Sequence, residues 1–399
     1  MHRLLPILLV LLTAAPAVGA TDSADAERGE YLARIGNCAG CHTAPGGEPF
    51  AGGLRLDSPY GTFITPNITS DAATGIGDWD ADDLWAAMHD GERADGSPLY
   101  PACPYPSYTR VERDDIDAIH AYLETVPAVA HETAPHDLDW PYGYRPLVNL
   151  WQALYFEPGT PADTADADPV RARGRYLVEG LGHCDGCHRA RGTFGATDTE
   201  ADAPGAMIHG WYAPPLADPA QAGLQDWPVA EAAALLRSGR TEHAATMGPM
   251  ADVVFDSLQY LTPEDARPMA TYLKSIPART VPSPERLIGL SERGREAAMR
   301  TGGRIYANEC ADCHGDEGEG GDGAPALAGN RAVTMDNPVN VANMIRRGGF
   351  PPATAGNPRP YGMPPFHQLS ERELAAVISY IRGSWGNDAA PVSATNLRR

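Results

Sequence analysis

Three segments along the chain carry apolar residues at the helical period. Ile116, Ile119, Leu123 and Val126 form one stripe, Ala266, Met269, Leu273 and Ile276 a second, and Leu374, Val377, Ile378 and Ile381 a third. Each predicts an amphipathic helix with one buried face. Two have legible starts: "TPED" offers Thr262 as N-cap with Pro263 at the first helical position, and "SERE" offers Ser370 and Glu373 as a capping box. Upstream of each stripe is a shorter helix that stops at glycine: "DLWAAMHDG", "AAALLRSG" and "VANMIRRGG". Gly91, Gly239 and Gly348 suit the left-handed position just past a helix end. Further upstream, "RGEYLARIGN", "RGRYLVEGLGH" and "GGRIYANE" predict a leading helix. The chain therefore reads as one mostly helical unit of roughly 110–130 residues, written three times.

Composition places the boundaries. "EPGTPADTADADP" (157–169) and "PARTVPSPERLIG" (277–289) are polar, Pro-bearing linkers. The expected division is a signal over residues 1–20 and domains over 21–160, 161–283 and 284–399. The signal reading rests on Arg3, the apolar run Leu4 to Leu12, and small residues Val18 and Ala20 placed for cleavage. That run is short for a membrane span and Pro6 interrupts it. No other run approaches spanning length, so the expectation is an exported chain, soluble or peripherally attached.

Charge removes one class of partner. With 31 Lys and Arg against 52 Asp and Glu, the formal net charge is −21, and one unit more negative without Arg3. Such a chain repels phosphate backbones, so no nucleic-acid partner is expected.

Seven cysteines in an exported chain suggest disulfides, but the spacing of six of them opposes that. They fall as "CAGCH" (Cys38, Cys41, His42), "CDGCH" (Cys184, Cys187, His188) and "CADCH" (Cys310, Cys313, His314), once per repeat. Two thiols at i and i+3 add to the two vinyl groups on one haem edge, and the adjacent histidine reaches the iron. A zinc ribbon needs its second CxxC within roughly 15–20 residues, and these pairs are far more widely separated. Three covalent haem c groups are expected, each supplying much of the core of a small helical domain. The fold class is all-α: three tandem class I cytochrome c-like domains.

A methionine commonly fills the remaining position of such an iron. "YGMPPF" places Met363 in a Pro-rigid turn before the third closing helix; "TMGPMADVV" offers Met247 and Met250 in the second unit, and spacing does not separate them. Met88, Met269 and Met344 sit on helical faces and read as core. The equivalent loop of the first unit, "LYPACPYPSY", has no methionine and holds the seventh cysteine, Cys103.

The chain resembles the three-haem cytochrome c subunits of bacterial membrane-bound alcohol, gluconate, sorbitol and fructose dehydrogenases. The resemblance runs from about Glu27 to Trp385 and rests on "GNCAGCHTAPGGEPFAGG", "GTFITPNIT", "GIGDW", "LYPACPYPSY", "GWYAPPL", "GPMADVV", "SLQYLT" and "YGMPPF". It implies an electron relay from a flavin- or quinone-cofactor dehydrogenase subunit toward ubiquinone or another acceptor, at the periplasmic face of the inner membrane. It also implies Met250 and Met363 as distal ligands. Two stretches depart from the family pattern: the first-unit loop reads "PACPY" for "PAMPY", and the stretch between "GWYAP" and Trp227 is shorter and lacks "NLT". Four readings of Cys103 follow: a thiolate ligand, which its position favours; an open site; replacement by Met88 or His89; or an inert or intermolecularly paired thiol.

Two functions compete on these residues. One is an electron-transfer subunit. The other is a haem enzyme whose first haem, ligated by Cys103 or open, is catalytic in sulfur-compound oxidation or peroxide reduction. No GxGxxG fingerprint is present; the Gly-rich "DEGEGGDG" (316–323) follows a haem motif rather than a strand and reads as a loop.

Overall fold

The computed structural model describes residues 20–159, 168–200, 202–242, 244–281, 287–321 and 323–397. Residues 1–19 of the expected signal and the middle of both linkers lie outside these residues. The first unit opens with α1 (Ala20–Ile35), turns through Asn37 at φ 55°, and enters α2 (Cys38–His42). Asp80 starts α3 (Ala81–Trp85) by accepting from the N–H groups of Asp82 and Asp83, and the helix runs on to stop at Gly91, φ 67°. Helices α4 (Tyr105–Tyr108), α5 (Arg113–Thr125) and α6 (Pro146–Tyr155) follow.

The second unit repeats the order with α7 (Pro169–Arg175), continuing through residues 176–181, then α8 (Asp185–His188), α9 (Val229–Ser238), α10 (Pro249–Asp256) and α11 (Pro263–Ser275). The third has α12 (Glu292–Glu309), α13 (Ala311–His314), α14 (Arg331–Thr334), α15 (Val339–Arg347) and α16 (Glu371–Arg382). Strands β1 (Arg55–Ser58), β2 (Gly61–Ile64) and β3 (Asp137–Leu138) form a small antiparallel sheet, with Arg55 opposite Ile64. A second ribbon pairs β4 (Ala206–Ile208) with β5 (Trp211–Ala213). The all-α expectation holds for the architecture; these ribbons are too short for alternation to register in the sequence.

The apolar stripes face inward as expected. Every member is buried except Ile276, which is half-buried. Thr262 caps α11 through the Asp265 N–H, and Ser370 and Glu373 make both arms of a capping box on α16. Gly239 and Gly348 end their helices at φ 69° and 65°. In each unit the leading helix crosses the closing helix at a glycine. A Cβ on Gly29, Gly174 or Gly302 would lie 1.8, 2.0 or 2.1 Å from the carbonyl oxygen of Ala118, Pro268 or Ala376, so only glycine permits this crossing.

The buried residues form two cores. One runs continuously through the first and second units, from Leu32, Ile35 and Ile119 to Leu181, Met269 and Leu273. The other, with Tyr306, Ile345, Leu374 and Ile378, belongs to the third unit. The third unit attaches to the second through polar contacts. Asn340 on α15 accepts from the Tyr212 N–H at 2.8 Å and donates to the Tyr212 carbonyl at 2.7 Å, pairing the edge of β5 as a neighbouring strand would. Arg331 donates to the Gly223 carbonyl and to Asp226. No helix among the described residues is long and apolar enough to cross a membrane.

Candidate haem sites

Each CxxCH folds as a short helix at the end of a leading helix, so its two thiols and its histidine project from one turn. In the first two units a non-glycine residue in the left-handed region makes the corner: Asn37 at φ 55° and His183 at φ 37°. All seven cysteines are free of disulfides.

The three histidines share one orientation. Nδ1 of His42, His188 and His314 lies 2.8, 2.7 and 3.0 Å from the carbonyl oxygens of Pro66, Pro214 and Pro325. A carbonyl only accepts, so Nδ1 carries the proton and Nε2 keeps its lone pair. Burial lowers the pKa of all three rings, outweighing the carbonyl bonds that act the other way. The result is a neutral imidazole, orientationally fixed, with Nε2 free: the form that ligates a metal. The sequence reading did not find these three carbonyls. A signal was present, since each proline stands two before Ile68, Leu216 or Leu327 in a P-x-[IL] pattern. The distance back to the histidine varies among the repeats, which hid the pairing.

The second and third sites open into one cavity of about 1140 Å³. Its walls carry Cys184, Cys187, His188 and Met250 from the second unit and Cys310, Cys313, His314 and Met363 from the third. This exceeds the usual volume of a single small-ligand site, roughly 300–1,000 Å³, and is mainly apolar, as a haem pair requires. Met250 is set at the start of α10 behind Pro249. Met363 is held by a two-way backbone pair with Gly349 at 2.8 and 3.0 Å. Met247 and Met344 also line the cavity. Met88 and Met269 are buried as expected, Met269 against the wall of the cavity, whereas Met344 is only half-buried, on a face of α15 that borders the same space.

In the first site Cys103 sits in a turn, its N–H bonded to the Tyr100 carbonyl, immediately before α4. It lies near Cys38 and Cys41. Burial pushes the Cys103 thiol up to about 12. Cys103, His42, Cys38 and Cys41 are each half-buried. Met88 points into the core and His89 bonds Asp90 and the Gly159 carbonyl. The first and second motifs are neighbours: Cys41 lies within electrostatic reach of Cys187, and α2 packs on α10.

Small helical units that present two thiols and an oriented imidazole from one turn define covalent-haem cytochromes. The cytochrome c family model matches residues 26–127, 172–277 and 299–385, and the chain belongs to that family, with three haem c groups as cofactors. It is 40 % identical over 396 residues, covering 95 % of this chain and 82 % of the relative, to the cytochrome c subunit of alcohol dehydrogenase (quinone) from Gluconobacter oxydans. The cytochrome c subunit of gluconate 2-dehydrogenase from Pantoea cypripedii is 38 % identical over 98 % of this chain and 93 % of its own length. The fructose dehydrogenase cytochrome subunit from Gluconobacter japonicus is 32 % identical over 93 % and 82 %. The resemblance read from the motifs is borne out.

Proposed function

We propose that this chain is the electron-transfer subunit of a dehydrogenase acting on CH–OH groups. It takes electrons from a flavin- or quinone-cofactor partner subunit and relays them through three haems toward ubiquinone or another acceptor. The relatives are cytochrome subunits of dehydrogenases along nearly their whole length, which supports the partner and does not favour a catalytic first haem. The export pattern of the first twenty residues supports the periplasm, and the periplasmic face of the inner membrane is the site the resemblance implies. An exposed apolar side of α6, with Leu147, Leu150 and Leu154, and Trp140 at 90 % exposure supports contact with another surface.

In this reading Cys38 and Cys41, Cys184 and Cys187, and Cys310 and Cys313 hold the haems of domains 21–160, 161–283 and 284–399. His42, His188 and His314 are the proximal ligands. Met250 and Met363 are distal ligands of the second and third irons, and Cys103 that of the first. Haem iron supplies one-electron chemistry; the protein sets the potential through ligand, burial and nearby charge. Burial raises the Cys103 thiol, so it would ionise only beside a compensating positive charge, which a ferric iron would supply. The observation that carries the reading is the shared orientation of the three imidazoles beside three CxxC pairs, with the first motif next to the second and the second sharing a cavity with the third. That order makes the second haem the middle of the relay.

The test is haem content. Haem staining after denaturing electrophoresis should persist and the intact mass should rise by three haems. A lower count overturns the assignment of the motifs.

A further inference from the structure

The N-terminal turns of α5 and α11 are completed by tyrosines from the opposite unit. Tyr176, on the second unit's leading helix, donates to Asp115 Oδ2 at 2.5 Å and accepts from the Glu112 N–H at 3.2 Å. Tyr31, on the first unit's leading helix, donates to Asp265 Oδ2 at 2.7 Å and accepts from the Thr262 N–H at 3.4 Å. Glu112 and Thr262 are the N-caps of α5 and α11, and Asp115 and Asp265 stand three residues on. Each aspartate is also paired within its own unit: Asp115 with Arg28, and Asp265 with Arg173 through two bonds of 2.8 and 2.9 Å. Arg173 further stacks on the Tyr176 ring, linking the two halves.

The pattern is reciprocal. Arg-Gly-x-Tyr at 28–31 and at 173–176 uses its arginine at home and its tyrosine across the boundary, as an isologous dimer would with two copies of one surface. The third unit breaks it. Aligned on the crossing glycine Gly302, it has Thr301 and Arg304 in place of arginine and tyrosine. Its Glu373 closes its own capping box at 2.9 Å from the Ser370 N–H instead of meeting a foreign hydroxyl. The continuous core of the first two units and the separate core of the third follow the same division.

We infer that Tyr31 and Tyr176 are positioning residues that dock the first two units as a pseudo-two-fold pair and so fix the spacing of their two haem motifs. The inference rests on the assignment of residues 38–42 and 184–188 as haem attachments. Both hydroxyls sit in half-buried or buried bonds to carboxyl groups that also pair with an arginine, where such a bond is worth more than at the surface. Because the bonds are reciprocal, losing one hydroxyl loosens the whole interface and not one helix end.

The test uses the full-length haem-loaded chain with Tyr31→Phe, Tyr176→Phe and the double change, each removing only a hydroxyl. Tyr272→Phe is the control, since that hydroxyl bonds Glu179 within the second unit. Hydrogen exchange at the first turns of α5 and α11, and the rate of electron exchange between first and second haems after photoreduction, are the readouts. Either single change should raise exchange at both helix starts, the double by about tenfold. Electron exchange between the first two haems should slow, while that between second and third stays at the wild-type rate. Should one phenylalanine variant lose haem, the other reads the same interface: Tyr176→Phe alone should raise exchange at the start of α11 as well as at the start of α5. Loosening confined to the mutated bond's own helix, or no more change than in the control, overturns the inference. A wrong haem count in the wild type removes the haem assignment and leaves the hydrogen-exchange readout standing.

Discussion

Cys103 and the two loop methionines occupy corresponding places in three copies of one design, yet they differ in charge. A thioether is neutral and favours ferrous iron; a thiolate is an anion and favours ferric iron. Under the proposed ligation, with Met250 and Met363 on the other two irons and a Cys103 thiolate on the first, the first haem would be the low-potential member of the relay. Replacing Cys103 by methionine should raise that haem's potential by on the order of 0.1 V or more, within the roughly 0.8 V that axial ligands span. Redox titration followed by low-temperature EPR should show one thiolate-like ferric signal in the wild type, lost in Cys103→Met, with the other two haems unmoved. An unchanged spectrum shows that Cys103 is not a ligand.

At the scale of the elements, the starts of α5, α11 and α16 show how one local rule is reused in two ways. An acid three residues after the N-cap closes its own helix in α16 and receives a foreign tyrosine in the other two. Burial acts to raise the Asp265 carboxyl, but the bonds from Arg173 and Tyr31 outweigh it and hold its pKa below the ordinary 3.8. A carboxyl depressed in the folded state stabilises above its unfolded pKa, and that contribution fades as pH falls through the folded value. Asp265→Asn should therefore cost about 2–3 kcal/mol at neutral pH. The gap from wild type, read from urea midpoints by circular dichroism, should close as pH drops below 3.8; a gap independent of pH would mean the carboxylate charge is not what matters. The same contrast explains what was legible beforehand. CxxCH motifs, apolar stripes, the Ser370 capping box and the stopping glycines are local patterns, and the chain displays them within a few residues. The Pro66, Pro214 and Pro325 carbonyls, the Asn340 pairing with β5 and the Tyr31 and Tyr176 bonds join segments from 11 to 234 residues apart. Nothing local specifies such partners, although the repeated Arg-Gly-x-Tyr hinted at a shared task.

For the whole molecule, two units share a core and the third shares a cavity with the second, so the two boundaries are built from different materials. The first boundary is apolar with buried hydrogen bonds; the second is polar and surrounds the space into which both the second and third motifs open. Arg331 is the one arginine or lysine among the described residues lining that space. It spans the boundary through the Gly223 carbonyl and Asp226 and lies 5.6 Å from the centre of the Trp227 ring. Ferric haem carries one more positive charge than ferrous haem, so a cation beside the cavity disfavours the ferric state and raises the potential. Asp226 also lines the cavity and acts the other way, so removing the arginine would leave its carboxylate there without a partner. Arg331→Ala should lower the potentials of the second and third haems by on the order of tens of millivolts and leave the first in place. Arg331→Lys keeps the charge but loses the forked geometry, so it should hold both potentials near wild type even though the boundary is loosened. Spectroelectrochemical titration of the three proteins separates the causes: a fall in both variants points to altered packing at the boundary, and a fall in the alanine variant alone identifies the charge that couples the last two haems.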